Sequence, residues 1–189
     1  MLILILLCNR KWCVIMDLSF YLIFNFIIYS FFGWILEEVY CYCIEKRFKE
    51  DGFLFGPFKP MYGIAMSILV YFAYILRLNW VMMIPLYVIV PSTVEYLSGY
   101  FLKAIFNKTY WDYSGMKFNI NGFVCLKFSI YWTVLTFLTI KYVQPIINKA
   151  FLVYFRLWFV IVPVLFIYII MDFWITVRKL HSNLINERS

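Results

Sequence analysis

The stretch that decides the fold is LSFYLIFNFIIYSFFGWILEEVYCYC, Leu18 to Cys43, whose only charged side chains are Glu37 and Glu38. About 20 predominantly apolar residues suffice for a helix to cross the hydrocarbon core of a bilayer, and this run exceeds that. Working outward, four more apolar stretches can cross: Met61 to Leu76, Trp80 to Leu102, Phe123 to Val143, and Leu157 to Val177. The whole chain agrees with them. Of its 189 residues, 65% are apolar, 23% aromatic and 14% charged, with a mean hydropathy of +0.84. Soluble domains hold about 45 to 50% apolar and about 25% charged residues, so the polar side chains here could not cover a water-soluble globule. The expected fold is an all-α integral membrane protein, a bundle of about five transmembrane helices. It forms one domain over residues 16–180, with a polar tail over 181–189. Disorder, collagen-like repeats and a small disulfide-stapled fold are excluded by the same figures.

The second stretch is the shortest, and only Arg77, Leu78 and Asn79 separate it from the third, which predicts a tight antiparallel hairpin. Pro85, Pro91 and Pro163 inside spans are expected as kinks, tolerated where neighbouring helices satisfy the freed carbonyls. Met1 to Leu7 is too short to cross, and Arg10 and Lys11 follow it where a signal peptide would place charge before it. Met16 opens a conventional beginning for the first span. Residues 1–15 are therefore expected to be an upstream extension from a misassigned start.

Lysine and arginine placement orients the chain. Lys46, Arg47, Lys49 and Lys59 attend the first long loop; Lys103, Lys108, Lys117 and Lys127 attend the second; Arg178, Lys179 and Arg188 lie in the tail. The other side has Arg10, Lys11, Arg77, Lys141, Lys149 and Arg156. The positive-inside rule then puts the N-terminus outside and both long loops and the C-terminus in the cytoplasm. The net charge of +7 follows from this topology, beside anionic head groups, and nucleic acid is not an expected partner. Cys8, Cys13, Cys41, Cys43 and Cys125 form no CxxC pair, and His181 is the single histidine, so neither a metal site nor a cofactor is expected.

Intramembrane carboxylates carry the sharpest functional signal. Glu37 and Glu38 precede Lys46 by about two and a half turns and Glu95 precedes Lys103 by about two, which puts all three about 12 to 15 Å from the boundary. Insertion of a charged residue costs about 2.5 to 3.5 kcal/mol, so such groups face the bundle interior and a partner. Ser30, Gly33, Glu37, Tyr40 and Cys41 share one helix face; Pro91, Ser92, Glu95, Ser98 and Gly99 share another; Cys125, Ser129, Thr133 and Thr136 a third. Small residues and hydroxyls also mediate plain helix packing in lipid, but packing alone does not need a carboxylate. Glu38, one step round the helix, is expected to snorkel to the head groups, and Asp172 to pair with Arg178 at the end of the last span.

The two long loops are the second signal. The first reads GFLFGPFKPMYG, with Gly52, Gly56, Pro57, Pro60, Tyr62 and Gly63. It is too rich in glycine and proline for a helix before Met61 and too apolar for a solvated linker, so it is expected to fold back against the helix ends. The second, KTYWDYSGMKFNINGFVCL from Lys108 to Leu126, contains Trp111, Asp112, Tyr113, Asn119, Asn121 and Gly122. Its aromatics suit an interfacial belt, while Asp112 and the asparagines suit either a polar ligand or Asx turns. Neither a Walker pattern nor GxGxxG occurs, so the chain carries no ATPase of its own, and no Ser-His-Asp or Cys-His set points to catalysis.

IYSFFGWILE, GFLFGPFKPMYG, VEYLSG and WDYSGMKFNINGFVCLKFSIYW, in that order over about residues 20 to 145, resemble the bacterial family called putative ABC-transporter type IV, the CmpB-like putative ABC transporter permeases. The resemblance aligns Glu37 rather than Glu38, the glycines and prolines of the first loop, Glu95 and Tyr96, and most of Trp111 to Trp132. Two positions depart from it: Phe123 stands where the family often has arginine, and Thr133 where it often has glycine. It implies a permease-like subunit of a transporter, with a cytoplasmic ATPase subunit or a second copy of the chain as partners beside the lipid bilayer. It brings no substrate and no catalytic residue. Energy would come from that ATPase or from a cation exchanged at Glu37 and Glu95. Two other classes stay open: a membrane-embedded enzyme on a lipid or isoprenoid substrate, using Glu37, Glu95 and Asp112, and an accessory protein without a ligand.

Overall fold

The computed structural model describes residues 11–46 and 52–186. The first ten residues of the expected start extension, and Arg47, Lys49 and Arg188 among the orienting cations, lie outside the described residues. Among the described residues six α-helices follow in order: α1 (Lys11–Glu45), α2 (Pro60–Val70), α3 (Trp80–Phe106), α4 (Leu126–Leu138), α5 (Gln144–Val153) and α6 (Phe155–Asn186). A π-helical turn, Tyr71–Ile75, extends α2, and another, Thr139–Val143, joins α4 to α5. Among the described residues four helical stretches are long and apolar enough to cross a membrane: Leu18–Ile44, Trp80–Phe106, Leu126–Val153 and Phe155–Asn183, with Pro60–Ile75 as a shorter fifth. Their outer faces are apolar. Trp80, Phe159, Val160, Val164 and Ile167 stand exposed as lipid-facing side chains do.

Two boundaries differ from expectation. The fourth span does not begin at Phe123, because Val124–Cys125 is a strand (β2) paired antiparallel with Asn119–Ile120 (β1). Between them, Asn121 and Gly122 take φ of 53° and 73°, and the Phe123 amide donates to the Ile120 carbonyl at 3.0 Å. A turn with two positive-φ central residues favours Asn-Gly, so Asn121-Gly122 was a readable hairpin signal. The segment after Val143, which lies between the expected fourth and fifth spans, is helix to Val153, with Tyr154 alone between α5 and α6. The π turn makes this continuation workable. In its i to i+5 register the Ile140 carbonyl would face the nitrogen of Pro145, which has no hydrogen; the Tyr74 hydroxyl donates to that carbonyl instead, at 3.1 Å.

The α2–α3 connection at Arg77–Asn79 is as short as predicted, and the Asn79 side chain caps α3 by accepting from the Met82 amide at 2.9 Å. Why α2 is short becomes clear at its other end. The Lys59 amide donates to the Ser30 carbonyl at 2.9 Å. Ser30 is 15 residues before the end of α1, so α2 starts roughly 22 Å below it. The segment 52–59 is thus re-entrant, with Leu54 and Phe58 buried in the core. Non-helical backbone at such depth must be covered by protein, and Asp172 of α6 provides that cover. Its carboxylate accepts the amides of Phe55 (3.2 Å) and Gly56 (2.8 Å). The expected Asp172–Arg178 pair does not form: Arg178 lies over the Trp174 ring, 4.8 Å from its centroid. Two loop amides offered Asp172 charge-assisted hydrogen bonds away from lipid, which a pair at the membrane surface would not match.

Candidate functional site

The re-entrant loop delivers α2 against α1 with almost no gap. A side chain on Gly33 would collide with the Tyr62 ring, and one on Gly63 with Phe26 and Ser30. This close approach sets Tyr62 and Lys59 beside Glu37. Lys59 Nζ lies 3.0 Å from the Glu37 carboxylate, both side chains being largely buried, and the Tyr62 hydroxyl is hydrogen-bonded to Glu37 as well. Pro60 opens α2 at its first position, where its missing amide hydrogen leaves no helical bond unmade.

Glu95 sits across from this pair on α3, 3% exposed. One carboxylate oxygen accepts from Trp132 Nε1 (3.2 Å) on α4 and from the Tyr113 hydroxyl (3.1 Å) in the second loop. The other, Oε2, is buried without a hydrogen-bond partner. Burial, and then the adjacent Glu95 charge, push the Tyr113 phenol up from its ordinary range, so it remains a donor. A cavity of about 260 Å³ opens among α1, α2, α3 and α4, lined among others by Tyr29, Phe32, Tyr62, Glu95, Trp132 and Thr136. Among the described residues, Glu95 is the one charged side chain on its wall. Most hydroxyls of the polar stripes serve the helices themselves: Thr133 and Thr136 donate to carbonyls of their own helix at 2.7 and 2.8 Å, and Ser92 donates to Ser129 at 3.0 Å between α3 and α4.

The second loop is organised around its own polar groups. Asp112 accepts from the Ser114 amide at 2.8 Å, and that bond holds its carboxyl below the usual range. Asn119 donates to the carbonyls of Ser114 and Met116 and accepts from the Gly122 amide at 3.2 Å. Asn121 donates to the Tyr96 hydroxyl at 2.9 Å, and Trp111 Nε1 to the Phe123 carbonyl at 2.9 Å. Gly122 is required here, because its φ is +73° and a Cβ would lie 2.7 Å from Asp112 Oδ1. Of the residues picked from sequence, Glu37, Glu95, Tyr62, Gly63 and Tyr113 therefore converge on or beside one cavity. Asp112, Trp111, Asn121 and Gly122 line a separate, polar one with Lys103, about 370 Å³. Gly52 and Gly56 belong to the re-entrant loop, as does Pro57. Glu37, Glu95 and Asp112 do not form a trio, and among the described residues no three His, Cys, Asp or Glu side chains are placed to hold a metal.

Sequence reading missed a second polar cluster at the opposite end of the bundle. Asn25 and Gln144 are both 0% exposed. Gln144 Nε2 donates to Asn25 Oδ1 (2.8 Å), Asn148 Oδ1 (2.8 Å) and the Tyr21 hydroxyl (3.2 Å), and its Oε1 accepts from the Tyr29 hydroxyl. Tyr21 donates to Asn148 at 2.6 Å, and Asn25 to the Tyr21 carbonyl at 2.8 Å. A lone Asn inside an apolar run was the available signal, since an amide in lipid must find a partner.

No curated protein and no solved structure matches this chain. One family model does, described as putative ABC-transporter type IV, and it covers residues 24–177. That span takes in both long loops, Glu37 and Glu95, and it runs past the four sequence motifs to include Asp172 on the last helix. Matched from the first crossing helix to the last, the chain belongs to the putative ABC-transporter type IV family.

Proposed function

We propose that the chain is the permease-like membrane subunit of a transporter whose ATPase is a separate polypeptide, and that cargo binds in the cavity beside Glu95. The observation that carries this reading is a buried carboxylate with one unpartnered oxygen on the wall of an otherwise apolar cavity between four helices. A carboxylate in that setting is costly unless something compensates it. Trp132 and Tyr113 compensate half of it; a cationic or hydrogen-bond-donating ligand would complete the rest. Tyr29, Phe32, Tyr62 and Trp132 on the wall favour a compact organic cation, through their ring faces. The second carboxylate is not a twin of the first, because Lys59 neutralises Glu37. Cation exchange therefore rests on Glu95 alone, not on a pair.

The family supports a transporter, and with no Walker pattern in this sequence the reading assigns ATP hydrolysis to a partner polypeptide. In this reading the loop end of the bundle, rich in lysine, faces the cytoplasm of a bacterial cell and receives the ATPase. A melting-shift screen of the purified protein with small lipophilic ammonium ions and their neutral isosteres tests the cargo class. Ammonium ligands should raise the melting temperature of wild type and leave Glu95→Gln unmoved. Equal shifts in the two proteins would sink the role given to Glu95, and an affinity-tagged chain that brings down no ATPase would sink the division of labour.

A further inference from the structure

A third cavity, about 400 Å³, lies between the start of the re-entrant loop, the first residues after α3, and the last turns of α6. We propose that it binds the phosphate group of an anionic ligand through Lys108, Lys179 and Thr176. Thr176 is 3% exposed, and its hydroxyl is buried without a partner. A threonine in a membrane helix ordinarily donates to its own helix, as Thr133 and Thr136 do here. The Thr176 hydroxyl does not, although it lines this cavity one turn beyond Asp172.

The rest of the lining supplies charge. Lys108 and Lys179 both border the cavity, with Asn183 adding a carboxamide. Lys179 Nζ rests 4.8 Å from the Phe55 ring centroid, and among the described residues neither lysine has a carboxylate partner. Lys103 borders the adjoining polar cavity, which shares Thr109 and Tyr110 with this one. Two lysines, a buried hydroxyl and an amide bordering one space match a phosphate, whose several oxygens accept at once. Phe53, Phe55 and Leu180 on the same wall suit the glycerol and upper acyl carbons of a phospholipid. The same donors would also hold a free phosphate. Ligand here would bridge the re-entrant loop, the second loop and α6 beside the Asp172 clasp.

The test places the full chain in nanodiscs of phosphatidylcholine, then adds either phosphatidylglycerol or inorganic phosphate, and reads the melting temperature and lipid retention by native mass spectrometry. A shift with phosphatidylglycerol alone assigns a lipid head group, and a shift with inorganic phosphate assigns the free anion. In either case Lys108→Gln combined with Lys179→Gln should weaken the apparent affinity by about 30-fold, and Thr176→Val by about fivefold. Lys141→Gln, whose ammonium lies over Phe137 and Tyr142, should leave it unchanged. Because both cavity lysines are exposed, the double variant keeps the test open if Thr176→Val does not fold. No shift with either probe, or wild-type response in the double lysine variant, would overturn the proposal.

Discussion

The two ends of this bundle treat buried polar groups in opposite ways. Around Gln144, every buried side-chain polar atom among the described residues finds a partner: Asn25, Tyr21, Tyr29 and Asn148 close on it from α1 and α5. Around Glu95, Tyr62 and the re-entrant loop, three buried oxygens or hydroxyls are left over: Ser30 Oγ, Glu95 Oε2 and Thr176 Oγ1. A fully satisfied network rigidifies and locks register, whereas an unsatisfied buried group is a standing cost that survives where it is used. The difference separates architecture from function. The Gln144 cluster clamps the continuous α4–α5 rod to α1, and the loop end holds the groups available to a ligand.

The contrast can be broken most directly at Gln144. Gln144→Leu strands the Tyr29 hydroxyl and Asn25 Oδ1, and should cost about 2 to 4 kcal/mol of stability in detergent unfolding. A melting curve indistinguishable from wild type would show that the cluster does not hold the fold. Next comes Asp172→Ala, which frees two loop amides from a charged acceptor. It should cost about 2 kcal/mol and expose the segment 52–59 to proteolysis; a loop that stays resistant would mean that the core residues Leu54 and Phe58 hold it unaided. Gly122→Ala should cost about 1 kcal/mol through its positive φ, read as a modest fall in melting temperature. The smallest change in stability is expected for Glu95→Gln, within about 1 kcal/mol of wild type. The isosteric amide keeps an oxygen for Trp132 and Tyr113 and removes a buried charge. Destabilisation on the scale of Gln144→Leu would erase the distinction between the two ends.

Much of this was legible beforehand, for reasons that differ by residue. Glu37 and Glu95 stood out because charge inside an apolar run is rare and expensive wherever it lies. The Arg77–Asn79 turn was visible from its brevity. The β-hairpin at Asn121-Gly122 was also visible, but the apolar character of Phe123 to Cys125 merged it with the span behind. For Asp172 the local sequence points to Arg178, its nearest basic neighbour along the chain, as partner. Its real partners, Phe55 and Gly56, lie 117 and 116 positions away, a distance over which composition carries no information. Tyr21, Asn25, Gln144 and Asn148 were passed over for the same reason: each looked tolerable alone, and only their meeting gives them meaning.

The sequence by itself determined the solvent, the helical class, the approximate crossings and the presence of carboxylates inside apolar runs, because hydrophobicity and helical period are local properties summed along the chain. Tertiary structure decided that Lys59 neutralises Glu37 while Glu95 keeps an unpartnered oxygen, that the glycine- and proline-rich loop dives between helices, and that Asp172 holds it there. Those outcomes depend on which helices meet and how closely. Gly33 and Gly63 permit that approach without announcing what will fill it.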